Sequence, residues 1–329
     1  MNPNLFTIEK IQTKYHRKIN SIDLDILISF VIKKEREFIM THPEFVITDN
    51  QQSVIGKMIK RRLKNEPLAY ILGQKEFYGL NFKVNKNTLI PRPETELMVE
   101  SALKFIKTKR HENIKESNKK NNEVISHQSS VINIIDIGTG SGNIIISILK
   151  NLSIDLKFKI QNSEFFAIDI SKGALKIARQ NAKKNKVDEK IKFIHGNFLD
   201  PFLVNSKFNP PAGGQNSKFL ILANLPYLSE EIYKNCPPTV KKYEPRTALY
   251  SANQGLAHYE KLLSQIKSLL TDYELPITAL MEISPEQKRS ISSIIKKYLP
   301  SAKIEFKKDL ADKWRLCRVE LRPQGPLEN

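Results

Sequence analysis

Between residues 131 and 225, short apolar runs of strand type alternate with longer amphipathic runs, and this alternation limits the chain to few architectures. VINIIDI, EFFAIDI, KIKFIHG and FLILANL are rich in Ile, Val and Phe and too short for core helices, whereas NIIISILKNL and GALKIARQNAKKN carry apolar residues at three- and four-residue spacing. Strand and helix repeated in this order build a parallel sheet with helices on its faces. TALMEI, the helical PEQKRSISSIIKKYL, KIEFKKDL and WRLCRVEL extend the pattern. The last two runs leave no room for a crossover helix and are expected to pair antiparallel. The fold class is therefore α/β, mostly parallel with an antiparallel C-terminal strand.

Ahead of the sheet, residues 1–73 read as a small helical domain, with IDLDILISFVIKKEREFIM and the stretch from Ser53 to Ile59 as its amphipathic parts. Residues 74–92 carry two β-type runs, EFYGLNFKV and TLI, around the turn-prone Asn85-Lys86-Asn87, which predicts a β-hairpin linker. Residues 93–329 form the larger domain, opening with a helix near Glu94–Lys107. Two polar stretches without apolar period, 107–130 and 205–218, are expected to be solvated insertions. The second contains Gly213-Gly214-Gln215, a string that biased insertions produce readily.

Composition excludes several classes. No apolar run approaches the roughly 18 residues a membrane span needs, and MNPNLFTIEK does not read as a signal peptide. Cys236 and Cys317 are too few and too far apart for a disulfide framework or a cysteine-based zinc site, which suits a reducing compartment. Lys and Arg number 53 against 35 Asp and Glu, a net charge of +18. Such a balance invites a nucleic-acid partner through counterion release, but lysine is spread along most of the chain, as on a solvated surface.

Four motifs fall at strand ends. Asp136-Ile137-Gly138-Thr139-Gly140-Ser141-Gly142 follows one strand and precedes a helix, so its glycines let the backbone turn tightly against a ligand. The dinucleotide spacing G-x-G-x-x-G fails at Asn143, and Asp136 suits a cationic ligand better than a pyrophosphate. Asp169 ends the next strand, placed either to accept the two hydroxyls of a ribose or to cap the following helix. Asn197-Phe198 follows the third strand, an amide beside a ring that suits an adenine edge and face. Asn224-Leu225-Pro226-Tyr227 follows the fourth: a side-chain carbonyl, a backbone carbonyl aimed by a proline, and an aromatic ring make either a turn or a clamp for a planar NH₂ group. The signatures H-E-x-x-H, G-x-S-x-G and the P-loop are absent from the sequence, and no metal site is expected.

In this order and spacing the motifs resemble class I S-adenosylmethionine-dependent methyltransferases, with their Rossmann-like sheet. Further residues narrow the resemblance: Pro67 to Gly73 (PLAYILG), EFYGLNFKVNKNTLIPRPETE at 76–96, YEPRTAL at 243–249, Gly255-Leu256 with Tyr259, and Met281-Glu282-Ile283 with Gln287. Together, from about Pro67 to Glu320, they are similar to the release factor N5-glutamine methyltransferases, which modify the Gln of the Gly-Gly-Gln loop in class I peptide chain release factors.

The resemblance implies a cytoplasmic enzyme with S-adenosylmethionine as cofactor and a release factor as protein partner, with no membrane as partner; it does not call for direct nucleic-acid binding, which the charge leaves open. Asp136 and the loop Gly138, Thr139, Gly140, Ser141 and Gly142 would surround the methionine part, Asp169 the ribose, and Asn197 and Phe198 the adenine. Asn224 would serve both cofactor and substrate, with the Leu225 carbonyl as second acceptor, Pro226 fixing its direction and Tyr227 packing on the substrate amide. Three positions depart from the family pattern: Leu225 replaces a Pro, Asn197 an Asp and Ser284 a Gly. Asn-Leu-Pro-Tyr also resembles the motif of adenine-N6 methyltransferases acting on RNA or DNA, which stands as the alternative.

Overall fold

The computed structural model describes residues 6–117, 131–154, 163–203 and 217–323. Five helices come first: α1 (Ile8–Tyr15), α2 (Ser21–Ile32), α3 (Arg36–Thr41), α4 (Asp49–Leu63) and α5 (Leu68–Leu72). Their starts are written locally. Thr7 and Asn20 cap α1 and α2, and α4 opens on a reciprocal capping box between Thr48 and Gln51. Ile8, Leu24, Leu27, Ile28, Ile55 and Ile59 close a core of their own. Each such side chain contributes about 1.5–3 kcal/mol by leaving water.

A hairpin follows, β1 (Gln74–Phe77) against β2 (Leu80–Lys83). Its turn is not at Asn85-Lys86-Asn87, where the sequence pattern put it, but at Tyr78-Gly79. Both residues there are left-handed, with φ of 51° and 71°, as a two-residue hairpin turn requires. Asn85 closes a separate turn by accepting from the Asn87 and Thr88 backbones, so Thr88–Ile90 is not a strand. The hairpin is stapled to the larger domain by the buried Asn181. Its side chain takes the Lys83 N–H at 2.7 Å and donates to the carbonyls of Lys83 and Ser141 at 3.0 and 2.8 Å.

Helix α6 runs Glu96–Ser117, ten residues beyond the expected end, because KTKRHENIKES is built mostly of good helix formers. The start of the expected 107–130 insertion is thus helical, and residues 118–130 lie outside the described part. The sheet comprises β3 (Ile132–Ile137), β4 (Phe165–Asp169), β5 (Ile191–His195), β6 (Lys218–Ala223), β7 (Ile277–Glu282), β8 (Lys303–Lys308) and β9 (Trp314–Leu321), in the spatial order β5-β4-β3-β6-β7-β9-β8. Among these strands β9 alone is reversed, pairing antiparallel with β7 and β8. Lys218, assigned from sequence to the second insertion, is the first residue of β6. Gly213-Gly214-Gln215 lies outside the described residues.

Helices α7 (Asn143–Ile154) and α8 (Lys172–Lys184) connect β3 to β4 and β4 to β5. Four short helices, α9 (Asp200–Leu203), α10 (Glu230–Lys234), α11 (Pro238–Tyr243) and α12 (Ala252–Gly255), precede the long α13 (Ala257–Tyr273), and α14 (Lys288–Tyr298) links β7 to β8. Alternate residues of the strands enter two cores. Ile135, Phe166, Phe219, Ile221 and Met281 pack with α13 and α14, whereas Ile134, Phe165, Leu220 and Leu280 pack with α6 and α7. Full burial on both faces is why these strands read as unbroken apolar runs. The chain steps from β3 to β4 and β5 on one side, then returns to place β6 on the other. The carboxyl ends of β3 and β6 therefore flank a switch point, where α/β sheets open a crevice.

Candidate active site at the carboxyl edge of the sheet

The crevice at that switch point is a cavity of about 700 Å³. Of the residues singled out in the sequence, Gly138, Thr139, Gly140, Ser141, Asp169, Asn197, Phe198, Asn224, Leu225 and Pro226 line it. Asp136, Gly142 and Tyr227 stand behind the lining.

Gly138 and Gly140 have φ of 68° and 57° and turn the loop across the end of β3. Gly142 serves packing: a Cβ there would lie 2.8 Å from Ile146 Cδ1 and 3.3 Å from Ala178, between α7 and α8. Asp136 is buried and accepts from the Thr139 hydroxyl at 2.7 Å; burial pushes its carboxyl up to about 7 against that hydrogen bond. Asp169 does not cap α8, since Ser171 does so through Ala174 N. It accepts instead from Gly140 N at 2.9 Å and Ser171 N at 2.8 Å, while burial raises its carboxyl above the ordinary value. Asp169 in the lining and the buried Asp136 behind it both lose hydration, and a positive ligand in the crevice offsets that loss most directly.

Phe198 takes a left-handed conformation (φ 54°), with its ring 5.7 Å from that of His258, which also lines the crevice. Ile170, 63% exposed after Asp169, lines it too. Ile170 was not marked by the sequence, although an apolar side chain just past a strand-end acid is a readable signal.

Asn224-Leu225-Pro226-Tyr227 leaves the end of β6. Leu225 is 3% exposed and lies under the glycine loop, so that a Cβ on Gly138 would touch its Cδ2 at 3.7 Å. Packing thus fixes the segment where a proline would fix φ. The backbone of Tyr227 is clamped from behind. Gln287 Nε2 donates to its carbonyl at 3.0 Å, and Gly255 (φ 86°) passes so close that any Cβ would collide with that carbonyl. Ser284 and Gln287 form a reciprocal capping box ahead of α14, which holds the Gln287 amide in place and gives Ser284 a use where a glycine is common. The Tyr227 hydroxyl donates to Glu282 Oε1 at 3.3 Å.

The stretch from Ile90 to Glu96 ties these parts together. Ile90 N and Arg92 both donate to the buried Glu244, the latter at 2.6 Å, and Glu96 accepts from Tyr78 N at 2.9 Å. Thr95, 2% exposed, accepts from Asn224 Nδ2 at 3.1 Å. The carboxyl of Glu282 at the end of β7 is held by Tyr227 on Oε1 while its buried Oε2 has no hydrogen-bond partner, and burial pushes it up to about 7. Thr95 and Glu282 had no assigned role in the sequence reading because their partners are distant in the chain.

Comparison with known proteins gives two matched domains, a PrmC N-terminal domain over residues 16–73 and a methyltransferase domain over residues 128–212. The release factor glutamine methyltransferase of Dictyoglomus turgidum is 34% identical over 299 residues, which span 91% of this chain and 90% of that protein. The chain belongs to the release factor glutamine methyltransferase family. A release factor glutamine methyltransferase from Enterococcus faecalis is 31% identical over 85% of both chains. Among solved structures, the human methyltransferase 10 domain containing protein aligns with a TM-score of 0.44 at 12% identity, covering 83% of this chain and 98% of that one. For this family member the matched N-terminal domain takes in α2 to α5, and the matched methyltransferase domain β3 to β5, ending before Asn224.

Proposed function

We infer that this chain methylates the side-chain amide nitrogen (N5) of the glutamine in the Gly-Gly-Gln motif of class I peptide chain release factors. The observation that carries the reading is one cavity lined both by the glycine loop with Asp169 and by Asn224-Leu225-Pro226. Membership of the family supports it, at 30% identity or more over most of the chain.

The lining fits S-adenosylmethionine as methyl donor. Its volume is in the range of small-molecule sites, Gly138 and Gly140 bring backbone close, and two buried carboxyls favour a cation. When bound, that cofactor supplies an electrophilic methyl group on a positively charged sulfur. Gly138, Thr139, Gly140 and Ser141 would surround its amino-acid part, Asp169 would accept from the ribose hydroxyls, and Asn197 and Phe198, with Ile170, would hold the adenine.

An amide nitrogen is a poor nucleophile because its lone pair is shared with the carbonyl. In this reading the Asn224 Oδ1 and the Leu225 carbonyl each accept one hydrogen of the substrate NH₂, which raises electron density on nitrogen and aims it. No strong base is needed beforehand, because the nitrogen becomes acidic only as it gains its fourth bond. Tyr227 supports this clamp from behind through Glu282 and Gln287 rather than covering the substrate.

Residues 1–73 would contact the release factor, with 74–92 joining them to the catalytic domain at 93–329. Tyr243 couples the two parts by donating to the Lys64 carbonyl at 2.7 Å. The charge of +18 would then serve encounter with that protein partner. No helix among the described residues is long and apolar enough to cross a membrane, and a cytoplasmic setting follows from the substrate. The adenine-N6 alternative rested on Asn-Leu-Pro-Tyr and charge, and the named relatives do not favour it.

The test is fragment mass spectrometry of a class I release factor incubated with this chain and S-adenosylmethionine. One methyl on the Gln of Gly-Gly-Gln is expected; an unmodified Gln contradicts the reading.

A further inference from the structure

His258, in the first turn of α13, lines the crevice beside Phe198 with the two rings 5.7 Å apart, and Ser251 fixes which of its ring nitrogens carries the proton. We propose that His258 donates its Nε2–H to a ring nitrogen of the cofactor's adenine, which makes it a specificity-determining residue for that base. The proposal rests on the placement of the adenine at Asn197, Phe198 and Ile170 and deepens it.

The tautomer follows from counting hydrogens. Ser251 is 1% exposed at the entry to α12, and its hydroxyl oxygen accepts the His258 backbone N–H at 3.2 Å. The same oxygen lies 2.7 Å from His258 Nδ1. A hydroxyl has a single hydrogen, and among the described residues Nδ1 is the acceptor that this hydrogen reaches. Nδ1 is therefore bare and Nε2 carries the hydrogen. Burial, with Lys261 nearby, lowers the imidazole below the ordinary histidine value, which keeps the ring neutral near pH 7. Ser251 stands behind the lining, so the Nδ1 edge faces away from the crevice and the Nε2 edge, across the ring, is the part left for a ligand.

Adenine meets such a donor in one way. Its free ring nitrogens carry lone pairs and no hydrogen, whereas its exocyclic amino group offers two hydrogens. An Nε2–H therefore suits a ring nitrogen and opposes the amino group, which falls to the Asn197 side-chain oxygen. The opposite tautomer would accept from the amino group and leave the ring nitrogen unpaired. A buried serine hydroxyl thus decides how His258 reads the base, while Phe198 and Ile170 supply apolar surface for its faces.

The test is calorimetric binding of S-adenosylhomocysteine and of its 1-, 3- and 7-deaza analogues, each of which replaces one ring nitrogen by C–H, to the wild type and to His258→Phe. One analogue is expected to bind the wild type roughly 3- to 10-fold more weakly than the parent compound. His258→Phe is expected to weaken the parent by a similar factor without weakening that analogue further, and His258→Gln, whose amide reaches where Nε2 stood, to restore part of the parent's affinity. Nitrogen-15 NMR of the ligand-free wild type is expected to show a bare Nδ1 and a protonated Nε2 on His258. Deaza losses that are the same in His258→Phe as in the wild type for every analogue, or a protonated Nδ1 with a bare Nε2, overturn the proposal. None of these measurements needs a release factor. A wild type that shows the coupling yet leaves a release factor unmethylated overturns the functional reading and leaves the adenine contact standing.

Discussion

Arg92 and Glu244, 152 residues apart in the chain, meet at 2.6 Å beside the crevice. The Glu244 side chain is 1% exposed and the Arg92 side chain 30%. Removing Arg92 would leave a buried carboxylate with only the Ile90 N–H as partner. Arg92→Ala is therefore expected to cost roughly 1–3 kcal/mol, below the full figure for a buried pair because Arg92 is partly hydrated. Thermal denaturation checks the value. Adding Glu244→Gln to Arg92→Ala should recover most of the loss by removing the stranded charge.

Asn224→Ala removes an acceptor whose proposed use is the substrate amide. Turnover should fall about 10²–10³-fold, as for loss of a transition-state hydrogen-bonding group, while the Kd for S-adenosylmethionine changes severalfold at most. Single-turnover rates and calorimetric titration of the cofactor check the two parts.

Gly255→Ala tests the clamp on Tyr227. A methyl group at φ 86° would meet the Tyr227 carbonyl and the Gln287 amide, so the loop must move and take the strand-end segment with it. The expected result is a loss of at least about 2 kcal/mol in chemical denaturation, with a lowered kcat. Gly56→Ala is the control, because nothing lies within 4 Å of its added Cβ and it is an ordinary helical position in α4.

Stability should depend on pH with a definite sign. Glu282 and Asp136 hold their protons up to about 7 in the native protein, against ordinary values of 4.5 and 3.8. Across that window the native state binds more protons than the unfolded chain, so these two groups make stability fall as pH rises. Glu282→Gln is expected to raise stability at pH 8 by roughly 1–3 kcal/mol and to shrink the decline between about pH 5 and 7. Denaturant titrations across that range check it. Gained stability at the cost of turnover would mark Glu282 as a strained functional group.

What the sequence made legible was local. The strand-turn-helix around Gly138–Gly142, the acid at the end of β4 and the Asn-Leu-Pro-Tyr after β6 each carry their own signal within a few residues, and apolar runs buried on both faces announced the parallel sheet. The hairpin turn was misplaced because Asn85-Lys86-Asn87 has stronger turn chemistry on its face than Tyr78-Gly79, although only the latter pair brings Phe77 and Phe82 into the core. The supports of the site were illegible for a different reason. Asn224 to Thr95 spans 129 residues and Gln287 to Tyr227 spans 60, and no periodicity connects partners at such distances. The stretch IPRPETE stood out as a block, yet only the folded chain separates Arg92, Thr95 and Glu96 into three different contacts.

The most direct test of the central claim is transfer of a labelled methyl group from S-adenosylmethionine in three parallel reactions. These contain a class I release factor, the same factor with Ala in place of the Gly-Gly-Gln glutamine, and structured RNA. The account predicts label on the first alone. Label on the RNA with none on the release factor, or equal label on the release factor and its Ala variant, would contradict it.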